Sequence, residues 1–441
     1  MQTTAPRRST EPDQSRTDAA HRHRRRPALA RDLRWFYLFR LLSTSYLFVP
    51  VMVFFPSSRG LDIVHVLLLG SIYCGTVIAS EVPTGALADR IGRRRAMMLG
   101  ALIMVGACLT YYVAHGFWTF AVAETLAALS MTLCSGADSA YLFDLLDDNG
   151  RVHEYPRREG TASTWHQGGQ TLAFAAGGLL GAYDLALPYL VSAGVATIAF
   201  FVAAAMREDR PREAARRRLP GARDMLTQMG DAFRAVGRRR RLQWVIAYSA
   251  IVFVLLRATI YIYQPYLKQA GYGLRATGLV FAGVYLLAAV VAHHSNGLRQ
   301  RMSTGTMLWL LGGTLVATFL ILGALPGGPW AIGVLAIQAA ANGLYSPLVK
   351  PLLNDEIDDS RRRATVLSVE SMARRVAFGL FCPAIGGVMD RWGTSAGLTV
   401  CGVFGLLGLL ALARSSDRLF HRPGSQPGAI AQLAPKTETI P

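Results

Sequence analysis

Acidic side chains are scarce in this sequence: 28 Asp+Glu stand against 46 Lys+Arg, and the four charged types together make up only 17% of 441 residues. Soluble globular chains carry about a quarter of their residues as charges, so this shortage excludes an ordinary soluble enzyme. Cysteine is sparse too. Cys74, Cys108, Cys134, Cys382 and Cys401 all lie in apolar segments with no CxxC or Cys/His spacing, and they read as lone buried thiols without a disulfide or metal role. No G-x-x-x-x-G-K-[ST] phosphate loop occurs near the loops, which argues against ATP-driven work within the chain. The amino terminus is basic through His21, Arg22 and Arg26 and has no cleavable apolar core behind it, so residues 1–33 are expected to form a disordered tail and not a secretory signal.

What is present is long apolar runs, and 52% of the residues are hydrophobic. Runs of about 20 apolar residues between polar or Gly/Pro turns read as membrane helices. They fall near 34–56, 61–86, 96–114, 117–143, 160–182, 187–206, 242–265, 275–296, 304–325, 329–352, 365–388 and 395–413, numbered here as spans 1 to 12. An amino-terminal half (34–206) and a carboxy-terminal half (242–413) thus hold six spans each, with a second tail over 414–441. The linker 207–241 holds twelve Arg and is broken by Pro211, Pro220 and Gly221. Its stretch from Ala222 to Val236 has Met225, Met229 and Phe233 on one side, as expected of a short helix lying on a membrane surface.

The surplus of positive charge is distributed by side. Loops on the side of the chain ends hold 37 Lys+Arg and loops on the other side hold four, Arg59, Lys268, Arg275 and Arg391. By the positive-inside rule that asymmetry puts both termini and the linker in the cytoplasm, with the plasma membrane as the expected location. The net charge of +18 is then a matter of topology, with anionic lipid headgroups as partners of the loops and no nucleic acid required.

The chain also repeats itself. Span 2 ends in Gly85-Ala86-Leu87-Ala88-Asp89-Arg90-Ile91-Gly92 and span 11 in Gly386-Gly387-Val388-Met389-Asp390-Arg391-Trp392-Gly393, both G-x-x-x-D-R-x-G. Ser135-Gly136-Ala137-Asp138 in span 4 precedes Asn342-Gly343-Leu344-Tyr345 in span 10 by 207 residues, the same offset that separates Asp148 from Asp355. Such repeats are the mark of transporter folds built from repeated helix groups. With Arg93 and Arg94 following, Gly85, Leu87, Asp89, Arg90 and Gly92 complete a G-x-L-A-D-R-x-G-R-R loop between spans 2 and 3. In this the sequence resembles the major facilitator superfamily over roughly residues 34–413, and Glu81-Val82-Pro83-Thr84 with the Ser135–Asp138 run is similar to one bacterial branch of it. The resemblance implies an all-α membrane protein of twelve transmembrane helices in two six-helix halves. It also implies a gating role for the loop. Physically, Gly85 allows close helix approach, Gly92 a tight turn, and Asp89 accepts from helix amides or Arg, while the Arg run faces water and headgroups.

Ionisable side chains inside spans are costly and by default face a cavity or one another. The resemblance implies that spans 1, 4, 7 and 10 line the central cavity. In this sequence they carry Arg40; Glu124, Asp138 and, at the span edge, Asp144; Arg257; and Lys350. Placed by depth, Glu124 and Arg257 fall toward the outer side, and Arg40, Asp138 and Lys350 toward the inner side. These two clusters are expected to exchange partners as the halves rock, with a carboxylate taking a proton when its cation leaves. For Arg40, Asp144 and Lys350 the alternative is snorkelling to headgroups. Glu81, one turn before Gly85, is either a proton site or a helix-binding group. Glu370 and Arg374 stand i,i+4 in span 11, either as a local pair or with a link to Asp89. His166, Gln167 and Gln170 stand in span 5, and Tyr261, Tyr263, Gln264, Asn342 and Tyr345 are candidate contacts for a large, partly apolar substrate. The fifth-helix Gly-Pro motif that the family's drug/proton antiporters often carry is missing. Span 5 has Gly168-Gly169, Gly177-Gly178 and Gly181 without proline, and the closer run, Gly379 to Gly387 around Pro383, is in span 11.

The chain therefore reads as a monomeric secondary transporter that moves a small organic molecule by alternating access, with proton-coupled efflux favoured and an uptake symporter for a polar metabolite as the rival. A sensor or a membrane enzyme is the more distant alternative. No motif calls for a cofactor or a metal.

Overall fold

The computed structural model describes residues 29–208, 230, 237, 239–325, 327–355 and 360–420, and among these all regular structure is helical. The surface helix expected within 222–236 and most of both expected tails lie outside the described residues. Nine helices among those described are long and apolar enough to cross a membrane. Spans 2, 3, 6, 7, 8, 9 and 10 are Ile63–Ile91, Arg93–Val113, Leu187–Ala205, Arg240–Gln269, Leu274–Arg301, Thr304–Ala324 and Trp330–Asp355. The twelve are completed by four irregular cases, of which the break in span 4 is described below. Spans 11 and 12 run together as Ser360–Phe420 and are parted at Gly393, whose φ is 82°. Span 5, Tyr155–Gly181, is polar along its first half. Span 1 is broken.

Span 1 is helical over 29–42, beginning before the expected start at 34, and Leu29 and Leu33 are packed inside. It then unwinds, in place of the continuous helix expected to 56. The cause is local. Thr44 and Ser45 turn their hydroxyls back onto the carbonyls of Arg40 and Leu41, and two prolines follow, so only a 3-10 turn Val49–Val51 and a short helix Phe54–Ser58 re-form. Span 4 is broken as well. Phe117–Cys134 ends where Gly136 takes a φ of 88°, and the chain resumes as Ala137–Asp147. Gly343, its counterpart in the repeat, stays helical with its α-carbon pressed on Ala288, so this echo is not carried into the backbone. The other echo is: Gly92 turns with φ 96° after span 2 as Gly393 does after span 11.

The halves close on each other at the side away from the chain ends. Gly178 of span 5 faces Gly278 of span 8 so closely that a Cβ on either would strike the other's Cα. Ser71 of span 2 donates to the Gly379 carbonyl of span 11 at 2.7 Å, and a Cβ at Gly386 would come within 3.0 Å of Val64. Lys268 lies 5.8 Å from the centre of the Phe54 ring, and Arg275 lies 5.4 Å from that of Tyr183. At the side of the chain ends, by contrast, one apolar cluster is drawn from the amino-terminal half alone, with Leu33, Phe36, Met97, Leu142 and Val202 among its members. The exposed rings of Trp118, Tyr183 and Trp392 stand at the far-side helix ends, where aromatic residues are enriched at membrane interfaces.

Candidate functional site

A cavity of about 140 Å³ lies between the halves. Spans 1 to 5 of one half and 7 and 8 of the other supply its walls, and its charged residues are Glu124 and Arg257. Glu124 rides on a stretch of span 4 rich in small residues. Ser130, two turns on, donates to the Gly100 carbonyl at 2.7 Å and holds that helix hard against span 3. The carboxylate faces the Tyr111 hydroxyl and lies within the field of Arg257. Arg257 sets its guanidinium 5.8 Å from the centre of the Tyr73 ring, a cation–π distance, and makes no ion pair among the described residues. Gln170 lines the same wall.

Arg257, Ile260 and Tyr285 also line a second cavity of about 200 Å³ within the carboxy-terminal half. Its other cation, Arg374, is matched: Nε lies 2.8 Å from Glu370 Oε1, and Nη1 lies 3.3 Å from the Tyr345 hydroxyl. Ser249 joins them, bonded to Glu370 and 2.8 Å from the same hydroxyl, so one network ties spans 7, 10 and 11 together. Glu370 is therefore the local partner of Arg374. The link to Asp89 is not formed, because Asp89 is engaged by Arg93 on the other half.

The inner cluster differs from the expected one. Arg40 does pair with Asp138, but its further partner is Glu159 at 4.0 Å, and Ser139 donates to Glu159 at 3.1 Å. Lys350 is exposed and stands apart from this group. Glu159 is not evident from the sequence because span 5 begins at Tyr155, a turn before the expected 160. The break at Gly136 places Asp138 in the first turn of a new helix, 8% exposed, where it also accepts from the Ser139 amide. Asp144 is half-buried. Oε2 of Glu81 is buried with no hydrogen-bond partner among the described residues.

In the loop between spans 2 and 3, Gly85 does not serve a close approach here, since a Cβ there would meet nothing within 4 Å. Arg90 is exposed, Leu87 half-buried, and Arg93 and Arg94 half-buried with partners. The close approaches lie in span 5 instead, where a Cβ at Gly169 or Gly177 would overlap the carbonyl of Leu41 or Leu47 in the broken first span. Gln264 was a candidate substrate residue, yet it is fully buried and holds the other half. Its amide accepts from Val53 N and donates to Val49 O, both at 2.9 Å. Only the knowledge that span 1 unwinds would have revealed that role.

A family model described as Major Facilitator Superfamily matches residues 35–381. Among solved structures the chain is similar to the nucleoside transporter NupG, with a TM-score of 0.71 and 12% identity over 88% of this chain and 98% of that one. It is also similar to tetrameric PepTSo2, at 0.68 and 12% over 89% and 98%. A third is a bacterial homolog of the human lysosomal transporter Spinster, inward-facing and unoccupied, at 0.68 and 16% over 88% and 97%. At these identities the likeness is one of fold. No curated protein matches the sequence.

Proposed function

The chain belongs to the major facilitator superfamily, and from that premise we propose that this multi-pass membrane transporter exports a small organic molecule across the plasma membrane in exchange for protons, with both termini in the cytoplasm. One observation carries the reading: among the described residues Glu124 is the one carboxylate lining the two cavities at the centre, and it shares its cavity with a cation from the opposite half. A carboxylate so placed gains or loses a proton as its cationic neighbour leaves or returns, which joins proton binding to the rocking of the halves. Closure of the far side, with a separate apolar cluster on the near side, supports a state whose cavity opens toward the chain ends, the loading state of an exporter. The Asp89, Arg93 and Gly92 turn is the proposed gate, free at Gly85 to receive a neighbour when the near side closes.

The test is accumulation of lipophilic cations, zwitterionic antibiotics and anionic antibiotics in an efflux-deficient bacterium, with and without a protonophore. Lower accumulation that returns to control when the gradient collapses, and that Glu124→Gln abolishes, is the expected result. Unchanged accumulation across the panel rejects broad export. Raised accumulation would establish the second reading, uptake of a polar metabolite by symport, which the absence of an ion pair at Arg257 among the described residues favours.

A further inference from the structure

Glu124 and Arg257 come from opposite halves, line one cavity and feel each other's charge, yet form no ion pair. Opposite charges held apart in a medium of low dielectric lack both water and each other, an expensive arrangement unless something else stands between them. Among the described residues each has a partial substitute, the Tyr73 ring for Arg257 and the Tyr111 hydroxyl for Glu124. The other cation on these walls, Arg374, is already neutralised by Glu370. The site is thus balanced in total charge but polarised across the gap between the halves. A ligand with a single negative charge would pair with Arg257 and leave Glu124 unanswered, and one with a single positive charge would pair with Glu124 and leave Arg257 so. A ligand bearing both charges satisfies the two at once.

We propose that the molecule bound between the halves is a compact aromatic zwitterion, its anionic group on Arg257, its ammonium on Glu124 and its ring against the tyrosine-rich wall formed by Tyr46, Tyr111, Tyr261 and Tyr285. This rests on the reading of the inter-half cavity as the transport site and names its ligand class. The volumes, about 140 Å³ and about 200 Å³ on the two sides of Arg257, fit one or two fused rings and not a large multi-ring drug. It also gives the proton a direct role, because a proton and an ammonium group compete for the same carboxylate. Orientation across the gap follows as well, since a molecule held by one charge from each half draws the halves together.

The test is thermal stability of the full-length protein in detergent at neutral pH, with no gradient. Two zwitterions of different charge separation, L-tryptophan and 4-(aminomethyl)benzoate, are titrated beside their single-charge relatives: tryptamine and indole-3-propionate for the first, benzylamine and 4-methylbenzoate for the second. At least one zwitterion raises the melting temperature at concentrations about tenfold lower than either of its relatives, the factor expected from one charge-assisted hydrogen bond. Glu124→Gln erases its advantage over the anion, and Arg257→Gln its advantage over the cation. The proposal is overturned if a single-charge relative matches its zwitterion, if neither zwitterion acts, or if both variants keep the preference. Should the variants fail to fold, the ligand series on the unaltered protein decides alone. Because no gradient is involved, a carrier of zwitterions without proton coupling passes this test and fails the accumulation assay. An exporter of simple cations does the reverse.

Discussion

Gln264 ties the two halves together with a single amide. Its hydrogen bonds to Val53 and Val49 join span 7 to the unwound part of span 1 on the closed far side. Losing them leaves the Val53 amide unpaired at about 1–3 kcal/mol, and 1.4 kcal/mol is a tenfold change in a two-state equilibrium. Gln264→Ala is therefore expected to shift the population toward far-side opening by roughly tenfold or more. Distances between spin labels on the far-side ends of spans 1 and 7 check this, and an unchanged distribution removes Gln264 as a latch. Asp62, just before span 2 begins, makes a simpler case. It caps that helix by accepting from the His65 amide at 2.8 Å, and this bond holds its carboxyl below the ordinary carboxylate range. Stability from a depressed carboxyl is present above its unfolded value and is lost as pH falls through its folded one. Asp62→Ala should lower stability by about 1 kcal/mol at neutral pH, with the gap narrowing on acidification, measurable as melting temperature in detergent. Glu124, Arg257 and Gln170 were legible as candidates because charge and amide groups inside apolar runs stand out. Glu159 and the duty of Gln264 were not, because each is defined by a partner distant in sequence.

At the level of the helix, the apolar runs located most of the spans to within a few residues, and the errors share a cause. Spans 1 and 4 look continuous in hydropathy, but Ser/Thr hydroxyls that compete for carbonyls and a glycine with positive φ interrupt them without lowering apolar content. Hydropathy registers partitioning into lipid, and a break in hydrogen bonding leaves no trace in it. The glycines of span 5 show the same gap between composition and role. They mark close approach, yet which backbone each approaches depends on the unwinding of span 1. Gly178 carries the sharpest consequence, since anything larger must push span 8 away. Overpacking of about 1–3 kcal/mol would fall only on the far-side-closed form, so Gly178→Val should disfavour that form roughly ten- to a hundredfold. Transport should fall steeply while helical content by circular dichroism is kept. Retained transport would mean the two helices part more easily than their packing implies.

For the molecule as a whole, the repeat in sequence announced two halves, and the fold has them, but a sequence holds no record of which side is closed. That depends on which of two similar interfaces is made. Here far-side pairing is complete, and the amino-terminal half keeps its own near-side cluster. A cysteine placed at Gly85, where a side chain meets nothing within 4 Å, is thus expected to react with a membrane-impermeant maleimide from the side of the chain ends. The same labelling in intact cells against inverted vesicles tests the cytoplasmic placement of the termini that the loop charges imply; reaction of Gly85→Cys in intact cells would refute it.

The unwound part of span 1 has a consequence beyond geometry. Bilayer interiors offer no solvent to an exposed peptide group, so the amide of Val53 in the unwound stretch is satisfied by a glutamine that the opposite half lends it. When the halves part on that side, this group must be hydrated at once, and water has to arrive as the glutamine departs. Far-side opening is then a wetting transition, whose equilibrium depends on the activity of water as well as on the concentration of solute. An osmolyte too large to enter the gap would hold the protein shut.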